Sequence, residues 1–197
     1  MGLGLHGGGV GTVRFLAECG AKVLVTDIKP RDELKPSLDK LKGVSATYIL
    51  GQHRPEDFTE TDLIVRSPAV PDNFKYFELA RAKKIPITND IALFFKLCPG
   101  RIIGVTGTKG KSTTAQLLAL MLERTAPVVL AGNIGVSALE SLDRVKPETL
   151  VVLELSSWQL TDLETAGLSP SVAVVTNITA DHLDRHATPA KYLEAKT

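Results

Sequence analysis

Gly104-Val-Thr-Gly-Thr-Lys-Gly-Lys-Ser-Thr-Thr114 decides the reading of this chain. An apolar run (Ile102, Ile103, Val105) leads into it and a helix-like stretch (Ala115–Glu123) leads out. In a strand–glycine turn–helix arrangement, successive backbone N–H groups form a concave anion site, and the helix adds the positive end of its dipole. Gly107, Thr108, Lys109, Gly110, Lys111, Ser112 and Thr113 line the predicted turn, with Lys111 neutralising terminal phosphates and the Ser112 hydroxyl placed for Mg²⁺. The strict phosphate-loop spacing puts its first glycine at position 105, which is valine here, so the turn is a variant flanked by Gly104 and Gly107. Its expected ligand is a nucleoside triphosphate, and the alternative is a glycine-rich turn that holds nothing.

Outward from this turn, strand-like and helix-like runs alternate in both directions. Upstream, Lys22–Thr26, Ala46–Leu50, Leu63–Val65 and Ile85–Thr88 read as strands. Val10–Cys19, Arg31–Lys42, Phe74–Lys84 and Asp90–Leu97 read as helices. Cys98-Pro99-Gly100 interrupts the series, which restarts with strands at Ile102–Val105, Val128–Leu130, Leu150–Leu155 and Val172–Thr176. Such alternation predicts parallel sheets covered by helices. The expected architecture is α/β: a Rossmann-like parallel-sheet domain over residues 1–98, then a phosphate-loop-type parallel α/β domain over residues 99–197. Both ends read as cut. Only Met1 stands where a first strand is expected, and the chain stops within the helix-like segment Ala190–Lys196.

Composition narrows the class of protein. A net charge of +1 and a pI near 7.8 leave no electrostatic footprint for nucleic acid. No apolar run approaches the roughly 20 residues of a membrane span, and no signal peptide is visible. Cys19 and Cys98 are too far apart for metal-ligand spacing and read as reduced structural thiols, as in an intracellular protein.

A second glycine cluster opens the chain. Gly2-Leu3-Gly4-Leu5-His6-Gly7 fits G-x-G-x-x-G, and Asp27 ends the strand-like run about 20 residues on. Three readings stay open: a nucleotide diphosphate resting on the first helix, a dinucleotide whose ribose is held by Asp27, or close helix–sheet packing alone. Ligands of open parallel sheets bind beyond the carboxyl ends of the strands. In the second half, four such ends carry the loop itself, then Ala131-Gly-Asn133-Ile-Gly135, Glu154-Leu-Ser156-Ser-Trp-Gln159 and Asn177-Ile-Thr-Ala-Asp-His182. Glu154 interrupts an apolar strand, where a carboxylate needs either a cation or an escape to solvent. His182 is either a loop histidine or part of the same edge, and Trp158 reads as core. His53 and His186 have no constellation around them.

Thr106-Gly-Thr-Lys-Gly-Lys-Ser-Thr-Thr, Gly132-Asn-Ile-Gly, Leu153-Glu-Leu-Ser-Ser-Trp-Gln-Leu and Asn177-Ile-Thr-Ala-Asp-His-Leu-Asp resemble, in this order, the signature of the Mur ligases. Those enzymes form amide bonds in peptidoglycan precursors at the expense of ATP. Lys109 stands where the family often has asparagine. The N-terminal part, with Val25-Thr-Asp27 and Asp62-Leu-Ile-Val-Arg-Ser67-Pro-Ala-Val70, resembles the uridine-nucleotide domain of the member that adds D-glutamate. Ala69 there replaces a common glycine. The resemblance covers essentially the whole chain and implies that the rest of the ATP domain and an entire C-terminal domain are absent from it.

The resemblance implies a substrate carboxylate that attacks the γ-phosphate of ATP, and an acyl phosphate that the amine of an amino acid then displaces. The implied substrates are UDP-N-acetylmuramoyl-L-alanine and D-glutamate, with Mg²⁺ as the metal. The full-length enzyme is expected to act as a monomer in the bacterial cytoplasm. A sister ligase adding another amino acid and a non-catalytic nucleotide-binding module are the alternatives. Among catalytic residues it implies Lys111 on the β- and γ-phosphates, His182, and Lys196 of Tyr192-Leu-Glu-Ala-Lys196, a lysine carbamoylated in many relatives. Ser112, Glu154 and His182 are the implied metal ligands. Asn133, Ser156 and Gln159 are implied to contact the muramoyl substrate, and Leu5, His6, Asp27 and Ser67 the uridine nucleotide.

Overall fold

The computed structural model of the protein describes residues 1–5, 7–71, 73–132, 137–179 and 192–193. The chain divides into two compact units, Met1–Leu93 and Phe94–Thr197. The expected parallel α/β architecture is present in each.

The first unit runs α1 (Gly8–Glu18), β1 (Val23–Asp27), α2 (Lys35–Asp39), β2 (Ala46–Leu50), α3 (Glu56–Thr59), β3 (Ile64–Arg66), α4 (Lys75–Ala82) and β4 (Ile87–Asn89). α5 (Asp90–Leu97) carries the chain into the second unit. β1 pairs in parallel with β2, and β3 with β4. The first two residues bridge these pairs. The Gly2 N–H donates to the Thr26 carbonyl at 2.8 Å, the Met1 nitrogen donates to the Val65 carbonyl at 2.9 Å, and the Met1 carbonyl accepts from the Ser67 N–H at 3.0 Å. The glycine turn therefore departs from between β1 and β3, where strand order reverses and a crevice opens in sheets of this type.

One core cluster of this unit gathers Leu3, Val10, Val13, Val23 and Val25 with Leu34 and Leu41. Val10 and Val13 lie three residues apart on α1, with half-buried Leu16 and Ala17 one turn further on, the spacing of an apolar stripe facing the sheet. A separate cluster, built on Phe58, Ile64, Phe77 and Ala80, lies under β3, α3 and α4.

The second unit runs β5 (Arg101–Thr106), α6 (Lys111–Leu122), β6 (Val128–Gly132), a 3₁₀ turn (Leu139–Arg144), β7 (Leu150–Glu154), α7 (Ser157–Thr165) and β8 (Val172–Val175). Its four strands pair in the order β6-β7-β5-β8, all parallel. Val151, Val152, Leu153 and Val105 are fully buried on the two central strands. Such unbroken apolar runs mark parallel strands covered on both faces. α6 buries Ala115 and Ala119 against Val105 and Val152. These two small residues lie one turn apart and so let the helix seat closely on the strand that feeds it.

The helix expected over Arg31–Lys42 shortens to α2, Lys35–Asp39. Pro36 lies in its first turn, where a residue without an N–H is tolerated, so the helix begins there. The short α3 carries too few residues to show a helical period. Trp158, expected in the core, is only half-buried on α7.

Candidate functional site

β5 ends at Thr106, α6 begins at Lys111, and the four residues between them form a tight loop. Gly107 has φ +145°, and a Cβ there would lie 2.0 Å from the Thr176 Oγ1 and 3.0 Å from the Asn177 carbonyl. Gly110, the N-cap of α6, has φ +78° in the left-handed region and open space around it. Both positions need glycine, the first for space and backbone together, the second for backbone alone.

The segment after β8 braces this loop. The Thr108 N–H donates to the Asn177 carbonyl at 2.9 Å. The Lys109 N–H donates to the Asn177 Oδ1 at 3.0 Å, and the Asn177 Nδ2 returns a bond to the Lys109 carbonyl at 2.8 Å. The Thr176 hydroxyl donates to the same carbonyl at 2.7 Å. The Thr108 hydroxyl exchanges bonds with Thr179, donating to its carbonyl at 3.1 Å and accepting from its N–H at 3.0 Å, and meets the hydroxyl of buried Tyr192 at 3.1 Å. Residues some 70 positions apart thus hold the loop in a single shape.

Lys111 folds back over the loop. Its ammonium donates to the carbonyls of Gly107 and Thr108, both at 2.9 Å. A cation fixed there, at the N-terminus of a 12-residue helix, gives the loop the charge an anion needs. Glu154 ends β7 in register with Val105 and is 2% exposed. The Thr106 hydroxyl donates to the Leu155 carbonyl at 2.8 Å, tying this strand end to the start of the loop. The exposed Ser112 hydroxyl and the Glu154 carboxylate supply hard oxygen donors, the kind that holds Mg²⁺ together with phosphate oxygens. Among the described residues, no three His, Cys, Asp or Glu side chains form a metal cluster.

Ser156 and Gln159 engage each other as the capping box of α7. The Ser156 Oγ accepts the Gln159 N–H at 3.3 Å, and the Gln159 Oε1 accepts the Ser156 N–H at 2.9 Å. The spacing that suggested substrate contact is thus also that of a helix start. Asn133, His182 and Lys196 lie outside the described residues.

In the first unit, Asp27 is 5% exposed and its carboxylate holds backbone. Its Oδ2 accepts the Gly4 N–H at 3.1 Å and its Oδ1 accepts the Lys29 N–H at 2.9 Å. Buried Ser37 donates to the Gly4 carbonyl at 2.6 Å. The glycine turn is thus gripped from β1 and α2 together. A Cβ on Gly9 would fall 2.2 Å from the Leu3 carbonyl, so α1 also approaches the turn as closely as glycine allows. Leu5 is 41% exposed at this turn. The Ser67 Oγ accepts the Ala69 N–H at 3.4 Å across the bend after β3. His6 lies outside the described residues.

His53 carried no expectation, yet its side chain meets residues of several separate elements. Its Nδ1 lies 2.7 Å from the Thr26 Oγ1, and its ring stands edge-on to Phe58, Phe74 and Tyr76. Burial pushes the imidazole below the usual histidine range, against the opposing pull of Asp27. Its partners come from three separated segments, and no local spacing reveals them. Asp90, whose Oδ2 lies 3.5 Å from where a Gly8 Cβ would stand, is pushed up by burial, with backbone hydrogen bonds opposing.

Residues 105–197 match the family model of the Mur ligase middle domain, and residues 1–89 match that of the MurD-like N-terminal domain. The chain belongs to the Mur ligase family. Among this family's curated members it is 52% identical to the UDP-N-acetylmuramoylalanine–D-glutamate ligase of Roseiflexus sp. strain RS-1, over 100% of this chain and 42% of the relative. It is 41% identical to the Treponema pallidum (strain Nichols) protein of the same name, over 100% of this chain and 40% of that one. The chain therefore spans about two fifths of the length of these relatives. A solved structure of MurF ligase from Thermotoga maritima in complex with ADP aligns over 95% of this chain and 42% of that one, at 20% identity and a TM-score of 0.45. Among the described residues of this Mur ligase chain, no helix is long and apolar enough to cross a membrane.

Proposed function

We propose that this chain supplies the uridine-nucleotide unit and the triphosphate loop of an ATP-dependent ligase that joins D-glutamate to UDP-N-acetylmuramoyl-L-alanine. The observation that supports it most is Lys111, folded over a braced glycine loop beside the buried end of β7. The names of the curated relatives point to the same reaction.

On this reading the loop N–H groups and the Lys111 ammonium hold the β- and γ-phosphates of ATP. The bound substrate's alanyl carboxylate attacks the γ-phosphorus, the bond to the ADP oxygen breaks, and an acyl phosphate forms. The amine of D-glutamate then attacks the acyl carbon, phosphate leaves, and the amine gives up a proton as the amide forms. Phosphoryl transfer of this kind needs positioning and charge neutralisation more than covalent help. By resemblance, Ser112 and Glu154 would hold one Mg²⁺ and His182 a second, and these ions would supply further charge neutralisation when bound. Lys196 would help to place a metal, and Asn133, Ser156 and Gln159 would contact the muramoyl part of the substrate. Leu5, His6, Asp27 and Ser67 serve the uridine nucleotide on the glycine turn between β1 and β3. Such an enzyme works in the bacterial cytoplasm, and the full-length protein is expected to act as a monomer.

The test is phosphate release by the full-length gene product with MgATP and UDP-N-acetylmuramoyl-L-alanine, across a panel of amino acids. The expected result is release stimulated by D-glutamate alone. Stimulation by another amino acid moves the protein to a sister step, and no stimulation by any of them removes the ligase reading.

A further inference from the structure

The first unit is built from two strand pairs that share no direct ladder, β1–β2 and β3–β4. The glycine turn leaves from the bridge between them, so anything that moves one pair against the other deforms it. Backbone bonds of Met1 and Gly2 form part of that bridge. Among side chains, His53 spans the same gap.

On one side, its Nδ1 meets the hydroxyl of Thr26, a buried residue of β1, at 2.7 Å. The Thr26 carbonyl accepts the Gly2 N–H at 2.8 Å, and the next residue, Asp27, holds the Gly4 N–H. Thr26 thus supplies one anchor of the turn itself and precedes the residue that supplies the other. On the other side, the imidazole stands edge-on to Phe74 and Tyr76 of the α4 region, with ring centroids 5.3 and 6.3 Å away, and to Phe58 of α3 at 5.9 Å. The Tyr76 hydroxyl donates to the His53 carbonyl at 3.0 Å, fixing the backbone as well as the ring. Edge-to-face rings have a defined orientation, so this cluster sets the direction in which Nδ1 points.

We propose that His53 is a positioning residue of the uridine-nucleotide site, holding the glycine turn in its binding shape through Thr26 while anchored in the aromatic cluster of α3 and α4. The inference rests on reading the first unit as the uridine-nucleotide unit. His53 itself touches neither phosphate nor sugar in this account. It acts by keeping the backbone donors of the turn aligned before the ligand arrives, and such preorganisation is worth affinity because binding need not order them.

Two substitutions separate this role from plain packing. His53→Phe keeps an aromatic ring for the cluster and removes the shorter of the two polar contacts of the Thr26 hydroxyl, leaving its 3.3 Å bond to the Gln52 carbonyl. His53→Asn gives up the ring but can present an amide atom near the Nδ1 position. In the full-length protein, titration calorimetry with UDP-N-acetylmuramoyl-L-alanine and separately with MgATP reads the two sites. The expected result for His53→Phe is about fivefold weaker binding of the uridine substrate, the ratio set by one hydrogen bond worth about 1 kcal/mol. Its MgATP affinity should be unmoved, and His53→Asn should recover most of the loss despite a lower melting temperature. If His53→Phe binds the uridine substrate as the unmodified protein does, or if the two affinities of either variant follow the melting temperature together, the positioning role is overturned. If the unmodified protein does not bind the uridine substrate at all, the underlying reading of the unit fails and this inference falls with it.

Discussion

Among the described residues, two glycine turns each lead into the N-terminus of a helix, and they are held in opposite ways. The loop at residues 107–110 carries a cation: Lys111 lies across its carbonyls, and the residues after β8 brace it with hydroxyl and amide groups. The turn that begins at Gly2 and leads to α1 carries an anion instead, the Asp27 carboxylate, which accepts the Gly4 N–H. A loop with a lysine over it is prepared for the dense charge of a triphosphate. A turn with a carboxylate in it suits a ligand that brings less charge and more hydroxyl groups, such as a nucleotide sugar. On the proposed function, the two halves of this chain would use one backbone device for two different anions, with the side chain laid against each turn distinguishing them.

The sharpest way to break the comparison is to crowd the first loop. Gly107→Ala must fit a Cβ 2.0 Å from the Thr176 Oγ1 at φ +145°, whereas Gly110→Ala meets nothing within 4 Å at φ +78°. Gly107→Ala is expected to cost about 3 kcal/mol or more of stability, combining overpacking with backbone strain, and Gly110→Ala about 1–2 kcal/mol. Urea unfolding of the full-length variants checks both, and equal losses would mean that Thr176 does not brace the loop. A smaller pair of effects sharpens the contrast in burial. Ser37→Ala removes a partly buried hydrogen bond from a buried side chain to the Gly4 carbonyl and should cost about 1 kcal/mol. Asn177→Ala removes two solvent-exposed bonds to Lys109 and should cost about 0.5 kcal/mol, as exposed groups find water instead. The same unfolding curves distinguish them.

Much of this was legible in the sequence because its signals are local. Each strand of both units falls on an apolar run, and the phosphate loop announces itself by glycine spacing between a strand and a helix. Asp27 stands out by its distance from the first glycines, and in the structure its carboxylate holds the backbone N–H groups of Gly4 and Lys29. The bracing of the loop by Thr176, Asn177 and Thr179 was hidden, since bonds spanning some 70 residues leave no mark on spacing. His53 was passed over for the same reason: Thr26 lies 27 residues before it and Tyr76 23 residues after. Ser156 and Gln159 show the converse. Their i, i+3 pattern has two physical meanings, a helix cap and a polar strand-end edge, and the structure displays the first.

The central claim is that the two turns serve two different nucleotides, and one set of titrations tests it most directly. Full-length Lys111→Ala and Asp27→Ala proteins would each be titrated with MgATP and with UDP-N-acetylmuramoyl-L-alanine. Lys111→Ala is predicted to weaken MgATP by roughly 10- to 100-fold, the range of a lost charge-assisted contact, while leaving the uridine substrate within about twofold. Asp27→Ala is predicted to do the reverse, by roughly tenfold. Loss of both affinities in either variant, or MgATP binding that ignores Lys111, would contradict the division of labour between the two turns.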